Sequence, residues 1–161
     1  MSVKQPFIDY VKKMQNYGEA LSVIYWDMRT GAPKKGLPQR AEVIGTLSSE
    51  LFALQTSDEL GRLLEKIAKE ELDFVTKRLY EEVKKSYDES KKITADEYKE
   101  NVILQSKAES IWEEAKEKSD FALFLPYLKQ IIEYQKKFVK YWGIKNGSAY
   151  NTLLDKYEPD M

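Results

Sequence analysis

Histidine and cysteine are both absent from the 161 residues of this chain. Without them the chain cannot assemble a disulfide, a Ser-His or Cys-His nucleophile pair, or an ordinary zinc or haem site from its own side chains. An excess of one charge is lacking too: 26 Lys+Arg stand against 27 Asp+Glu, a formal net charge of -1. The chain as a whole therefore offers no electrostatic case for a nucleic acid or an anionic membrane as partner. No window approaches the roughly 20 apolar residues that span a bilayer. Met1 to Phe7 is polar and lacks the basic start and apolar run of a secretory signal. Cytoplasm is the default expectation, and the missing cysteine agrees with a reducing compartment.

Glycine and proline are scarce, at seven and five residues, and apolar positions recur at helical rather than alternating spacing almost throughout. The pattern predicts an all-α chain of six to seven helices, in an antiparallel bundle or hairpin stack with no sheet. No repeat, low-complexity tract or composition break marks a linker, so residues 1–161 are expected to form a single helical domain. The first helix is predicted over Pro6 to Trp26, with Phe7, Tyr10, Val11, Met14, Tyr17, Leu21, Ile24 and Tyr25 on one face. Arg29 to Pro38 holds Gly31, Pro33, Gly36 and Pro38 and reads as the main irregular loop. A second helix from Pro38 to Leu54 should bury Ala41, Ile44, Leu47, Leu51 and Leu54.

Thr56-Ser57-Asp58-Glu59 fits a capping box with Thr56 as the cap, opening a third helix that carries Leu60, Leu63, Leu64 and Ile67. A fourth, from Leu72 to Ser90, places Val75, Leu79 and Val83 inward. Thr94-Ala95-Asp96-Glu97 repeats the capping logic for a fifth helix to Lys118, with Tyr98, Val102, Gln105, Ala108, Ile111, Trp112 and Ala115 inward. Phe121, Phe124 and Leu125 suggest a short turn. Pro126 then suits the first position of a sixth helix ending at Trp142, with Gly143 as its left-handed terminator. A short segment from Ser148 to Tyr157 is stopped by Pro159.

Paired carboxylates are the remaining route to acid-base or metal chemistry. Glu109 and Glu113 lie one helical turn apart, but a di-metal bundle site needs Glu-x-x-His, and a solvated face balanced by Lys107 and Lys116 accounts for them. Lys12-Lys13, Lys84-Lys85 and Lys136-Lys137 alternate with acids and read as solubility. The 11 Tyr and three Trp read mainly as core. One segment resists that account. Tyr25-Trp26-Asp27-Met28-Arg29-Thr30 closes a helix with an aromatic pair and an acid, then enters the Gly/Pro loop leading to Arg40. A carboxylate at a helix C-terminus is disfavoured by the dipole, so Asp27 needs a donor, either Arg40 or the loop's backbone N–H groups. Trp26, Asp27 and Arg40 are thus the candidate residues, in a structural role that holds the loop between two helices. No catalytic, cofactor-binding or metal-ligating residue is assigned.

The run Tyr25 to Pro33, with Gly36, Arg40-Ala41-Glu42, Leu47-Ser48 and Thr56 to Leu60, resembles the start of the thermostable carboxypeptidase family, also called carboxypeptidase Taq. Lys107-Ala108-Glu109, Trp112, Ala115, Ser119-Asp120-Phe121, Phe124, Pro126-Tyr127-Leu128, Tyr150, Leu153-Leu154-Asp155 and Tyr157-Glu158-Pro159 follow in the same order. The similarity covers essentially the whole chain. Ser148-Ala149-Tyr150-Asn151 and Glu158-Pro159-Asp160 depart from the family's Asn-Pro-Tyr-Asp and Glu-Pro-Gly.

The resemblance implies a longer, nearly all-helical metallocarboxypeptidase that removes residues from peptide C-termini with broad specificity and tends to be a homodimer. Its zinc, replaceable by cobalt, would be held by a His-Glu-x-x-His helix and a downstream glutamate, none of which this chain contains. The expectation is therefore an N-terminal, noncatalytic helical region beside a substrate groove, inactive alone. Its implied partners are the missing C-terminal catalytic region, peptide substrates of the parent and a second copy. The competing expectation is a stand-alone helical module that binds a partner helix or peptide.

Overall fold

The structure is a computed structural model that describes residues 2–144 and 147–158, without the side chains of Lys34 and Ser110. Among the described residues the chain is all α: seven α-helices, one 3-10 turn at Lys34–Gly36 and no strand. No helix of the described residues is long and apolar enough to cross a membrane. Contacts cluster in two compact units, Met1–Lys91 and Lys92–Met161, each taken by itself below.

In the first unit α1 spans Lys4–Thr30, α2 Leu37–Gln55, α3 Asp58–Ile67 and α4 Phe74–Ser90. Phe7, Tyr10 and Val11 of α1 meet Leu60, Leu64 and Ile67 of α3 in a cluster whose most enclosed members, Phe7 and Ile67, are 0% exposed. The three-and-four spacing on both helices puts these side chains on facing stripes. Around that cluster polar groups tie the ends. Tyr10 Oη lies 2.7 Å from Ser57 Oγ and donates to the Leu54 carbonyl at 3.1 Å. The start of α1 is clasped to the α3–α4 connection: Val3 N–H and Ser2 Oγ donate to Glu70 at 2.6 Å each, and Lys4 Nζ reaches Asp73 at 2.5 Å. These contacts hold the Glu70 and Asp73 carboxyls below their ordinary range, the hydrogen bonds from Ser2 and from Lys4 respectively being the largest causes.

Several expectations shift here. α1 runs four residues past Trp26, because nothing before Gly31 interrupts its backbone bonds. Thr56 is not the cap of α3. It closes α2, its hydroxyl donating to the Phe52 carbonyl at 2.8 Å, and Ser57 caps α3 by accepting from Leu60 N–H at 3.0 Å. On α2 the buried stripe is Ile44 and Phe52, with Ala41 exposed. Asp73 caps α4 by accepting from Thr76 N–H at 3.1 Å, so the helix starts later than expected. Val75 in its first turn is 72% exposed, and buried Thr76 takes the inward place.

In the second unit α5 spans Ala95–Glu117, α6 Phe121–Trp142 and α7 Ala149–Leu154. α5 and α6 pack as a hairpin and α7 packs on α6. The capping box at Thr94 and Glu97 is complete, with both reciprocal bonds present. The buried face of α5 carries Asn101, Leu104, Ala108 and Ala115. Ala108 and Ala115 are buried as expected, whereas Gln105 and Trp112, also expected inward, are exposed, and Leu104 is buried beside Gln105. α6 begins at Phe121, ahead of the expected start. Asp120 accepts from Ala122 N–H at 3.0 Å and nucleates the helix there, so Pro126 sits inside it and leaves the Ala122 carbonyl without its helical donor. Ser148 caps α7 by accepting from Asn151 N–H at 3.0 Å. Gly143 ends α6 at φ 85°. The expected stop at Pro159 lies outside the described residues.

Two features of this unit yield measurable consequences. α5 ends in a Schellman arrangement, Asp120 N–H bonding Ala115 O at 2.8 Å and Ser119 N–H bonding Lys116 O at 3.2 Å, with Ser119 at φ 52° in the left-handed region. That region favours glycine. Ser119→Gly is expected to stabilise the chain by about 1 kcal/mol, read as a raised urea midpoint; an unchanged or lowered midpoint contradicts it. Glu97 accepts from Lys137 at 2.6 Å and from Tyr141 at 2.7 Å, and these bonds lower its pKa from 4.5 to about 2. A depressed carboxyl stabilises the fold above its unfolded pKa, and that contribution fades as pH falls from 4.5 towards 2. Glu97→Gln should therefore flatten the melting-temperature profile across that window, and a profile parallel to wild type would refute the linkage.

Candidate functional site

The loop between α1 and α2 holds the residues singled out from sequence. Arg29 and Thr30 complete α1, and Gly31 ends it by donating its N–H to the Asp27 carbonyl at 3.0 Å, joined by Ala32 N–H at 2.8 Å. These two backbone donors of the loop thus go to the main chain of Asp27, and that of Gly36 goes to the Pro33 carbonyl at 2.7 Å. Its side chain is met by Arg40, whose Nε donates to Oδ2. Arg40 Nη1 also lies 3.5 Å from the Gly36 carbonyl. One guanidinium in the first turns of α2 therefore holds both the end of α1 and the close of the 3-10 turn.

One glycine leaves room for this: a Cβ at Gly36 would lie 2.7 Å from Arg40 Nη1. Gly36 was invisible as part of the site because its contribution is a missing side chain, although its place in a Gly/Pro loop facing Arg40 was a signal. Trp26 is not drawn into the cluster: its ring is 72% exposed, and its carbonyl accepts from Thr30 Oγ1 at 2.7 Å. Tyr25, expected on the inward face of α1, is 43% exposed, so the packed stripe of that helix does not extend to it.

The chemistry of this cluster is that of a clamp. A carboxylate and a guanidinium, 41% and 31% exposed, form a charge-assisted bond. Among the described residues no group of three or more His, Cys, Asp or Glu is placed to hold a metal ion. Glu109 and Glu113 are exposed on α5, and Lys116 lies 5.0 Å from the centre of the Trp112 ring on the same surface.

Asp27→Asn removes the charge from the clamp and is expected to cost about 1 kcal/mol, the scale of a partly exposed ion pair. Combined with Arg40→Met, a double-mutant cycle in urea should return a coupling of similar size. A coupling indistinguishable from zero would mean that the pair holds nothing.

Comparison with known proteins places this architecture. The profile of the family described as Carboxypeptidase Taq (M32) metallopeptidase matches residues 6–161. Carboxypeptidase 1 of Bacillus subtilis (strain 168) is 49% identical over 160 residues, which are 98% of this chain and 32% of that protein. Thermostable carboxypeptidase 1 of Pyrococcus furiosus is 31% identical over 161 residues, 99% of this chain and 32% of that one. Among solved structures, that described as the BsuCP crystal structure superposes with a TM-score of 0.88 at 48% identity, covering 100% of this chain and 33% of the other. Metallocarboxypeptidase 1 of Trypanosoma cruzi superposes with a TM-score of 0.81 at 26% identity, covering 98% and 33%. The chain thus spans about a third of the length of the relatives it matches. With the profile running from Pro6 to Met161 and the backbone superposing on relatives from separate organisms, the chain belongs to the Carboxypeptidase Taq (M32) metallopeptidase family.

Proposed function

We propose that this chain is the N-terminal helical region of a metal-dependent carboxypeptidase that releases C-terminal amino acids from peptides with broad specificity. The observation that carries the reading is the pairing of a family match across residues 6–161 with coverage of only about a third of the relatives. In this reading the helices form a wall beside the substrate groove, and the α1–α2 loop is held in shape by Asp27 and Arg40. The parent enzyme is a cytoplasmic homodimer that binds zinc or cobalt through a His-Glu-x-x-His helix and a further glutamate outside this chain.

The residues present do not fit that metal. There is no histidine and no cysteine, and the described acids form no cluster able to hold an ion. No hydrolytic step is therefore assigned to any residue here. The contribution of the chain is position and shape, since a metal-activated water needs ligands that it does not supply.

The isolated chain, purified to homogeneity and supplied with zinc or cobalt, is expected to release no amino acid from C-terminally unblocked peptides. Release that depends on added metal and co-purifies with the chain would overturn the assignment of a noncatalytic role. An in-frame His-Glu-x-x-His downstream in the gene is the corresponding expectation for the parent.

A further inference from the structure

In the first unit a cleft of about 330 Å³ opens between α1 and α4, floored by Leu51 of α2 and Leu60 of α3. Its two walls run in the same direction: Lys4 pairs with Asp73 at their starts, and Gly18 and Ser86 both line the cleft further along. Val11, Met14 and Gly18 on one wall and Leu79, Val83 and Ser86 on the other repeat at three-and-four spacing over two turns, about 10 Å of helix. A ~150 Å³ apolar cavity holds one benzene, so this one has room for about two large apolar side chains. Of the lining residues only Glu82 is charged, and it is already paired with Arg78, so the cleft asks for an apolar occupant and not for an ion.

Gly18 adds an independent observation. A glycine in the middle of a 27-residue helix weakens that helix relative to alanine. A Cβ added at Gly18 would meet nothing within 4 Å, so packing within this chain does not require its absence. A bare backbone facing an apolar groove is what the close approach of another helix requires.

We propose that the cleft between α1 and α4 receives two turns of an amphipathic helix from the part of the enzyme that this chain does not include, with Gly18 as the point of closest backbone approach. The inference rests on the reading of the chain as one region of a longer carboxypeptidase. The occupant is placed there because about two-thirds of the length of each matched relative lies outside the matched segment. Parallel helical walls at this spacing seat a helix by interdigitation of side-chain ridges.

Gly18→Leu fills the groove, and Gly45→Leu is its control. Gly45 also lies mid-helix with nothing within 4 Å of an added Cβ, but it does not line the cleft. In the isolated chain both variants gain helix propensity and should raise the thermal midpoint by about 3 °C. The second arm is a chimera in which residues 1–161 replace the matching third of Bacillus subtilis Carboxypeptidase 1. There Gly45→Leu keeps its gain, whereas Gly18→Leu is expected to lower the midpoint by at least as much. A Gly18→Leu chimera stabilised like the control overturns the proposal while leaving the carboxypeptidase reading intact. A dimer of the isolated chain, seen by light scattering and dissolved by Gly18→Leu, overturns it in favour of a second copy as occupant. A wild-type chimera that releases no C-terminal amino acid refutes the carboxypeptidase reading, and the proposal falls with it.

Discussion

Burial of six side chains on facing stripes of α1 and α3 is the constraint on which the first unit depends. Phe7, Tyr10, Val11, Leu60, Leu64 and Ile67 form the buried cluster, and the partly buried apolar side chains of α4 and the end of α2 pack against it. Each such side chain withdraws apolar surface worth about 1.5–3 kcal/mol from water. α1 also packs along α2, with Leu21 and Ile44 buried, and its last turn carries a further restraint. That restraint is polar, the Asp27–Arg40 bond at the turn into α2. The division has a physical reason: the α1–α2 loop is rich in Gly and Pro and has little apolar surface to bury, so a charge-assisted bond does what packing cannot.

The second unit is held differently. The α5–α6 hairpin buries few large side chains, Leu104 and Phe138 among them, and it carries a ladder of polar links instead. Tyr134 donates to Glu100 at 2.6 Å, and Glu97 collects Lys137 and Tyr141 while also completing the cap of its own helix. One carboxylate thus ties secondary structure to tertiary packing. Its acidity reflects that double use.

Fold class and most helix starts could be read from residues alone, because helical spacing and capping chemistry are local. The Thr94–Glu97 box needed no knowledge of the rest of the chain. Errors arose where two local signals competed. Thr56 and Ser57 are both plausible caps, and the choice between them falls to whichever hydroxyl the preceding helix engages. Pro126 and Asp120 compete in the same way, and the cap upstream prevailed because one lost hydrogen bond costs less than a new helix start. Burial was the least legible property: Tyr25, Val75, Gln105 and Trp112 all carry an inward-looking period and face outward.

Residue content by itself determined that this chain is helical, that it carries no ligand set for a hydrolytic metal, and that it resembles one end of a carboxypeptidase. The first two conclusions depend on composition, period and side-chain chemistry, and the resemblance on the order of particular residue runs, none of which changes with folding. Only the tertiary structure decided that Arg40, and not the loop backbone, meets the Asp27 carboxylate, that Gly36 makes room for it, and that α1 and α4 stand apart over a cleft. Such pairings join residues distant in sequence, and their distances depend on how the helices pack, which no local spacing encodes.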